Sequence, residues 1–415
     1  MKSRDLLRYS HRKTIAIVSN TSWSIYNFRL GLIRYLKASG FEVLLVAPKD
    51  TFTSKLIAEG FGYQHVDIDN YGVNPLSDLQ TVGQLVRIYR QHHVDFIFHY
   101  TIKPNIYGTI AAAWCKIPSI AVTTGLGHMF TFKNSLLRFG ILKMYRFAAS
   151  LSKEVWFLNQ SDRQTFVEHR IVKPEKTFVL PSEGINIDWF KADYPPITNS
   201  LRPKLKFLFA GRLLWDKGIG EVAEAARIIK KQYANVEFLL VGFIDLANPN
   251  SVQPEQIQAW QNEKILRYLG ETTDMRSILR QIDCLVFPSF YREGVSRILL
   301  EAAATGRPII TTDNVGCREV VNDGSTGYLC EPRNVADLTD KIVRFIHLSP
   351  AQRLQMSQLA RQKVVAEFDE RLIIEQYAAK IEQYLFPQRL ATTPLSINGI
   401  KTAKDKIDVE EVLTD

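Results

Sequence analysis

Nowhere in the 415 residues is there an apolar run of about 18 or more, the length a helix needs to cross a bilayer. No spanning segment is therefore expected. The basic start MKSRDLLRYSHRK leads straight into the strand-like TIAIVS, an apolar stretch too short for a secretory signal. Cysteine is scarce: Cys115, Cys284, Cys317 and Cys330 are scattered and form no CxxC pair. That excludes a zinc ribbon and a disulfide framework and fits a reducing, cytoplasmic compartment. Zinc spacings and aromatic–basic stripes are missing too, so no nucleic-acid reader motif accompanies the net charge of +9.

What is present is the composition of a soluble globular protein, 46% hydrophobic and 23% charged, on a chain long enough for two domains. The charge is uneven. Residues 1–190 carry 23 Lys and Arg against 14 Asp and Glu, whereas residues 191–415 balance at 29 against 29. The first half either faces something anionic, such as a membrane surface or a phosphorylated substrate, or carries a solvated basic face.

Short β-branched runs alternate with helical-period segments, the pattern of βαβ units around parallel sheets. Strands are predicted at 14–19, 42–48, 63–68, 95–100, 119–124, 154–159 and 176–181, then at 204–211, 236–242, 265–270, 284–289, 308–313 and 326–332. Residues 334–386 read as mainly helical. KADYPPITNSLRPK, with three prolines and no periodicity, reads as a linker. The expected fold class is α/β, with two tandem doubly wound domains facing a cleft. Residues 1–190 form the first and 204–370 the second, joined by a linker at 191–203. A C-terminal helix at 371–386 returns to the first domain, and a disordered tail occupies 387–415.

The densest chemistry lies in FPSFYREGVSRILLEAAATGRP (287–308). Ser289 to Gly294 read as a turn and Val295 to Thr305 as a helix. The amides of Gly294, Val295 and Ser296 form an anion site at its start. Glu293 and Glu301 stand at most roughly 12 Å apart along the axis, so the two carboxylates can hold separate parts of one extended ligand. Upstream, FAGRLLWDKGIG places Gly211 and Arg212 after a strand and Lys217 before a helix. A guanidinium fork and an ammonium point charge suit a diphosphate. Each pattern also has a plainer reading, as a loop with surface charges or a helix with a solvated carboxylate.

GRLLWDKG, LG at 269–270, FPSFYREGVSRILLEAAATGRPIITTD and GCREVVNDGSTGYL, in this order, resemble retaining glycosyltransferases of family four, which have the GT-B fold of two Rossmann-like domains. The resemblance runs over residues 14–385. In the first half, SWSIYNFRLGLIRYL, TIKPNIYGTIAA and TGLGHMF resemble a subgroup that adds sugars to lipid-linked precursors of bacterial capsule and O-antigen. The resemblance implies transfer of a hexose or N-acetylhexosamine from a nucleotide sugar, UDP-linked in the subgroup, to a glycan or lipid-linked glycan acceptor. It implies Arg212 and Lys217 on the donor diphosphate, Glu293 on the sugar, Glu301 on the ribose and the base near Leu269 and Gly270. No cofactor and no metal is implied, and the cleft motifs hold no Asp-x-Asp pair. The fold also carries phosphorylases, epimerases and non-catalytic partners.

For the acceptor the same resemblance points to Asn27, Arg29, Lys103 and Asn105. Two departures stand out. Ser22 and Ser24 occupy the region where many relatives have a two-glycine turn. Thr124, with His128 four residues on, stands where many place a His or Glu, so either the polar role passes to one of these two or the acceptor geometry differs. His99, at the end of the strand DFIFHY, is a further lone histidine. Finally, KNSLLRFGILKMYRFAASLSK (133–153) has five basic and no acidic residues. Helical spacing puts Leu136, Leu137, Ile141, Met144, Phe147 and Ala148 on one face toward the sheet, and Phe139, Leu142, Arg138, Arg146 and Lys153 on the other. A basic face with embedded apolar residues suits an anionic membrane surface, with Lys2, Arg4, Arg8, Arg12 and Lys13 adding to it. The expected location is peripheral, on the cytoplasmic face of the plasma membrane.

Overall fold

The computed structural model describes residues 12–69, 74–126, 135–192, 204–246 and 248–390. The first sheet contains β1 (Thr14–Val18), β2 (Glu42–Ala47), β3 (Gly62–His65), β4 (Phe96–Tyr100), β5 (Ser119–Thr123), β6 (Glu154–Phe157) and β7 (Thr177–Val179). They lie in the order β3-β2-β1-β4-β5-β6-β7. The second sheet contains β8 (Leu205–Ala210), β9 (Val236–Val241), β10 (Arg267–Tyr268), β11 (Cys284–Phe287), β12 (Ile309–Thr312) and β13 (Gly327–Cys330), in the order β10-β9-β8-β11-β12-β13. All pairings within the sheets are parallel. Helices cover both faces, which is why β4 and β11 are buried along their whole length.

Each sheet reverses its winding once, between β1 and β4 and between β8 and β11. The connections diverge at these points, leaving a crevice beyond the carboxyl ends of the strands. Gly211–Lys217 leaves β8 and Pro288–Gly294 leaves β11, so the two cation- and carboxylate-bearing loops share the crevice of the second sheet.

Three elements sit differently from the sequence reading. Ile185, Ile187 and Phe190 pack in the core of the second sheet, so the crossover belongs to the second domain from about residue 185. Arg361 explains this, donating from its guanidinium to the carbonyls of Ile187 and Phe190, each at 2.9 Å. Residues 193–203 and 391–415 lie outside the described residues, while Pro387–Leu390, read as the start of a disordered tail, forms a short helix.

The third difference is the face of the helix Ser135–Leu151. Among its described side chains Tyr145, Ala148 and Ala149 are buried, Ile141 and Leu142 are half-buried, and Met144 and Phe147 are exposed. Tyr145 decides the rotation. Its hydroxyl accepts from Asn105 Nδ2 at 2.7 Å and lies 3.0 Å from Thr123 Oγ1, so this stripe must face the sheet. The side chains of Leu136 and Leu137, and Lys133, lie outside the described residues, as do the basic residues before Arg12.

The last long helix, Glu370–Leu385, returns to the first sheet. Ile373, Tyr377 and Ile381 join its core, and the Tyr377 ring lies 4.9 Å from both Phe98 and Trp156.

Candidate active site

Gly218, at a positive φ of 80°, begins the helix Ile219–Gln232. A Cβ there would run into the Pro288 carbonyl, so only glycine lets the two loops approach this closely. The approach brings Lys217 against Glu293 in an ion pair, with side chains only 9% and 14% exposed. Ser289 Oγ donates to the same Glu293 oxygen at 3.3 Å. The Lys217 ammonium also lies 4.6 Å from the centre of the Tyr291 ring. Burial first, then the Glu293 charge, pushes the Tyr291 phenol up to about 12, so it stays neutral. Arg212, five residues upstream, is exposed, and its charge acts on the Tyr291 phenol, pulling against that rise.

The loop after β11 is braced by groups that sequence reasoning missed. The Asp216 carbonyl accepts the amides of Phe290 and Tyr291, both at 3.0 Å. Asn314 Nδ2 donates to the carbonyls of Tyr291 and Ser289, at 2.9 and 3.3 Å. Asn314 follows β12, and nothing in its local sequence signals a partner in another loop.

The helix after this loop runs over Arg297–Ala304, later than expected, with Ser296 as its cap. This corrects one assignment. The Ser296 amide is not open to an anion, because it donates to the Gly316 carbonyl at 3.0 Å. Glu301 is largely buried and accepts from Arg297 Nε at 3.0 Å. Burial raises its carboxyl pKa, and Arg297 pulls it partly back. Gly270 has a φ of +78° and open space where a Cβ would stand, and its carbonyl accepts from the Gly242 amide.

Gly294 touches the first domain. A Cβ on it would collide with the Thr124 carbonyl, and one on Gly125 would lie 2.8 Å from the Gly294 nitrogen. Of the expected acceptor residues, Thr124 is thus the one brought to the donor loop. His128 lies outside the described residues. Arg29 and Asn105 do not line a cleft. Arg29 is 3% exposed, donates to Glu183 at 2.6 Å and stacks on Tyr100, and Asn105 is 1% exposed and holds Tyr145. Lys103 pairs with Asp78 at 2.8 Å, and Asn27 Nδ2 donates back to the Trp23 carbonyl one turn earlier in its own helix, at 2.9 Å. These partners account for the four residues within the first domain and leave acceptor contact by Arg29 and Asn105 without an open face.

The first βα turn likewise consumes its own amides. Trp23 N–H goes to Asp50 and Ser24 N–H to Thr21, leaving less for an incoming phosphate. His99 is fully buried between Tyr89 and Thr109, and burial lowers its pKa to about 3. It is a core group. Among the described residues no group of three or more His, Cys, Asp or Glu could hold a metal ion, and no helix is long and apolar enough to cross a membrane.

Residues 204–347 match the family described as glycosyl transferases group 1, and residues 14–159 match the family described as glycosyl transferase 4-like. The chain is 30% identical over 378 residues to the N,N'-diacetylbacillosaminyl-diphospho-undecaprenol alpha-1,3-N-acetylgalactosaminyltransferase of Campylobacter jejuni, covering 88% of this chain and 96% of that protein. The chain belongs to this glycosyltransferase family. Over 285 residues the glycosyltransferase is also 27% identical to the UDP-Gal:alpha-D-GlcNAc-diphosphoundecaprenol alpha-1,3-galactosyltransferase of Escherichia coli, covering 66% of this chain and 71% of that one. Its fold matches Anabaena Alr3699/HepE, solved in complex with UDP, with a TM-score of 0.72 at 20% identity, over 89% of this chain and 100% of that one. The two facing sheets are therefore a GT-B fold, and the enzyme is a hexosyltransferase.

Proposed function

We propose that this glycosyltransferase moves a hexose or N-acetylhexosamine, with retention, from a UDP-sugar to a sugar linked to a lipid diphosphate. The observation that carries the reading is the Lys217–Glu293 pair at the crevice between β8 and β11, with Arg212 beside it. Lys217 and Arg212 neutralise the departing diphosphate, a form of charge stabilisation that is often the largest catalytic contribution. Glu293, held by Lys217 and Ser289, orients a donor-sugar hydroxyl. Gly211, Gly270, Gly294 and Val295 contribute close backbone approach, and Glu301 takes the ribose hydroxyls once it leaves or shares Arg297.

No carboxylate is assigned as a nucleophile. The acceptor oxygen forms its bond to the anomeric carbon on the face from which the phosphate oxygen departs, and its proton passes to that oxygen. Two side-chain cations and loop amides supply the neutralisation, so the proposal includes no metal. The lipid-diphosphate acceptor is supported by the names of both relatives and by the basic first half of the chain.

We further assign the exposed face of Ser135–Leu151 to an anionic membrane surface. Phe139, Met144, Phe147 and Leu151 are exposed there beside Lys143 and Arg146. Apolar side chains for the acyl boundary and cations for the headgroups fit an enzyme whose acceptor is anchored in the cytoplasmic leaflet.

A thermal-shift panel of sugar nucleotides tests the donor, because a ligand bound only by the folded state raises its midpoint. UDP and one or more UDP-sugars should stabilise the protein, and the stabilising sugar should transfer to an undecaprenyl-diphosphate-linked sugar. Glu293→Ala and Lys217→Ala should each lower that transfer by about 100-fold or more while remaining folded. Near-normal turnover in either variant would remove the site assignment.

A further inference from the structure

We propose that Arg292 is a positioning residue for sugar transfer: through Asp162 it clamps the donor loop to the first domain, so that Glu293 and Gly294 reach their working geometry only when the two domains are in contact. The inference rests on the reading of Glu293 and Gly294 as donor contacts.

The loop after β11 is held from two sides. Residues Ser289 to Tyr291 are bound by their own domain, through the Asp216 carbonyl and the Asn314 amide. From Arg292 onward the partners change. Arg292 Nε donates to Asp162 Oδ1 at 2.7 Å, and its Nη2 donates to Thr165 Oγ1 at 2.8 Å and to the Ser161 carbonyl at 3.3 Å. Asn159 Nδ2 donates to the Gly294 carbonyl at 3.0 Å, and the Thr124–Gly125 backbone abuts Gly294 itself. All these partners lie in the first domain, on the helix Gln160–Glu168, its Asn159 cap and the end of β5.

The clamp is built for geometry. Asp162 has no exposed side-chain surface, and Asn159 both caps its helix and reaches its carboxylate, at 3.2 Å. A buried carboxylate of this kind is held in one place and needs a charged partner. The guanidinium fork meets three acceptors at fixed angles, which an ammonium cannot do. Glu293 is flanked by this anchor on one side and by Gly294 on the other. A shift of the Arg292 backbone therefore moves the carboxylate that faces the donor. By contrast Arg212, Lys217 and Glu301 sit wholly in the second domain, so nucleotide binding does not need the clamp.

Arg292→Lys, Asp162→Asn and their double variant test this. Turnover is measured with the UDP-sugar that the thermal-shift panel selects, and UDP affinity by calorimetry. Each single variant should lose about 100-fold in kcat, the scale of a reacting group misplaced by about 1 Å. UDP affinity should remain unchanged, while the donor KM, which includes the sugar contact of Glu293, should rise less than kcat falls. The double variant should be no worse than the poorer single one, because the two residues act as one unit. Wild-type kcat in both single variants overturns the inference, as does an equal loss of kcat and UDP affinity. If Asp162→Asn does not fold, Arg292→Lys with an unchanged thermal midpoint decides alone. Glu293→Gln separates the two readings. Wild-type turnover there removes the donor assignment, whereas an inactive Glu293→Gln beside a fully active Arg292→Lys removes only the clamp.

Discussion

At the scale of single residues, burial sorts groups that look alike in the sequence. Lys217 and Glu293 pair in the crevice between β8 and β11, while Arg29 and Glu183 pair inside the first domain. His99 shows the same sorting. Its ring is fully buried and neutral, with the pKa lowered from 6.5 to about 3. A depressed folded value means that the contribution to stability is full above about 6.5 and is lost as the pH falls toward 3. From pH 7 to pH 5 the wild type should therefore lose about 2 kcal/mol more than His99→Gln, measured by urea unfolding at each pH. Equal losses would show that His99 does not titrate with unfolding. The motif reading reached Glu293 and Lys217 because their spacing around strand ends is local. It could not separate Arg29 from a ligand contact, because Glu183 lies 154 residues away.

At the scale of elements, the helix Ser135–Leu151 carries the clearest lesson. Its apolar residues cover more than one face, so periodicity alone allowed more than one rotation. The Tyr145 hydroxyl, bound to Asn105 and Thr123, selects the one that exposes Phe139 and Phe147. That rotation makes the exposed face more apolar than the sequence reading allowed. If it meets lipid, Phe139→Ser with Phe147→Ser should weaken binding to phosphatidylglycerol vesicles about tenfold or more. Lys143→Gln with Arg146→Gln should cost about 2 kcal/mol, near thirtyfold, on the same vesicles. Wild-type binding should also fall as salt rises. Equal partition onto neutral phosphatidylcholine vesicles would refute the surface. The strands, in contrast, were legible from their continuous apolar runs, since parallel strands are covered on both sides.

At the scale of the whole molecule, the chain crosses between its domains twice. The crossings meet where the Ile185 amide donates to Phe368 and the Glu370 amide to Ile185. Beyond this point the helix Glu370–Leu385 inserts Tyr377 between Phe98 and Trp156, with its hydroxyl 3.1 Å from that of Tyr100. The first domain is thus completed by residues far beyond the second. Tyr377→Ala should destabilise it by about 3–5 kcal/mol, the cost of emptying a large aromatic site. Urea unfolding followed by tryptophan fluorescence is a direct readout, because Trp156 lines the cavity. An unchanged transition would mean that the returning helix does not support the first sheet.

By itself the sequence determined the two α/β halves, the strand order of events along the chain and the donor motifs, because each depends on periodicity or on residues close together in the chain. It also determined the family, through motifs in a fixed order. Only the tertiary structure decided which charged residues face the cleft, which face of the basic helix is exposed, and that the Ser296 amide is spent on Gly316. It alone joined Arg292 to Asp162. These depend on contacts between separate elements, from 20 to more than a hundred residues apart along the chain, or on a choice among rotations of similar local energy, and packing settles both.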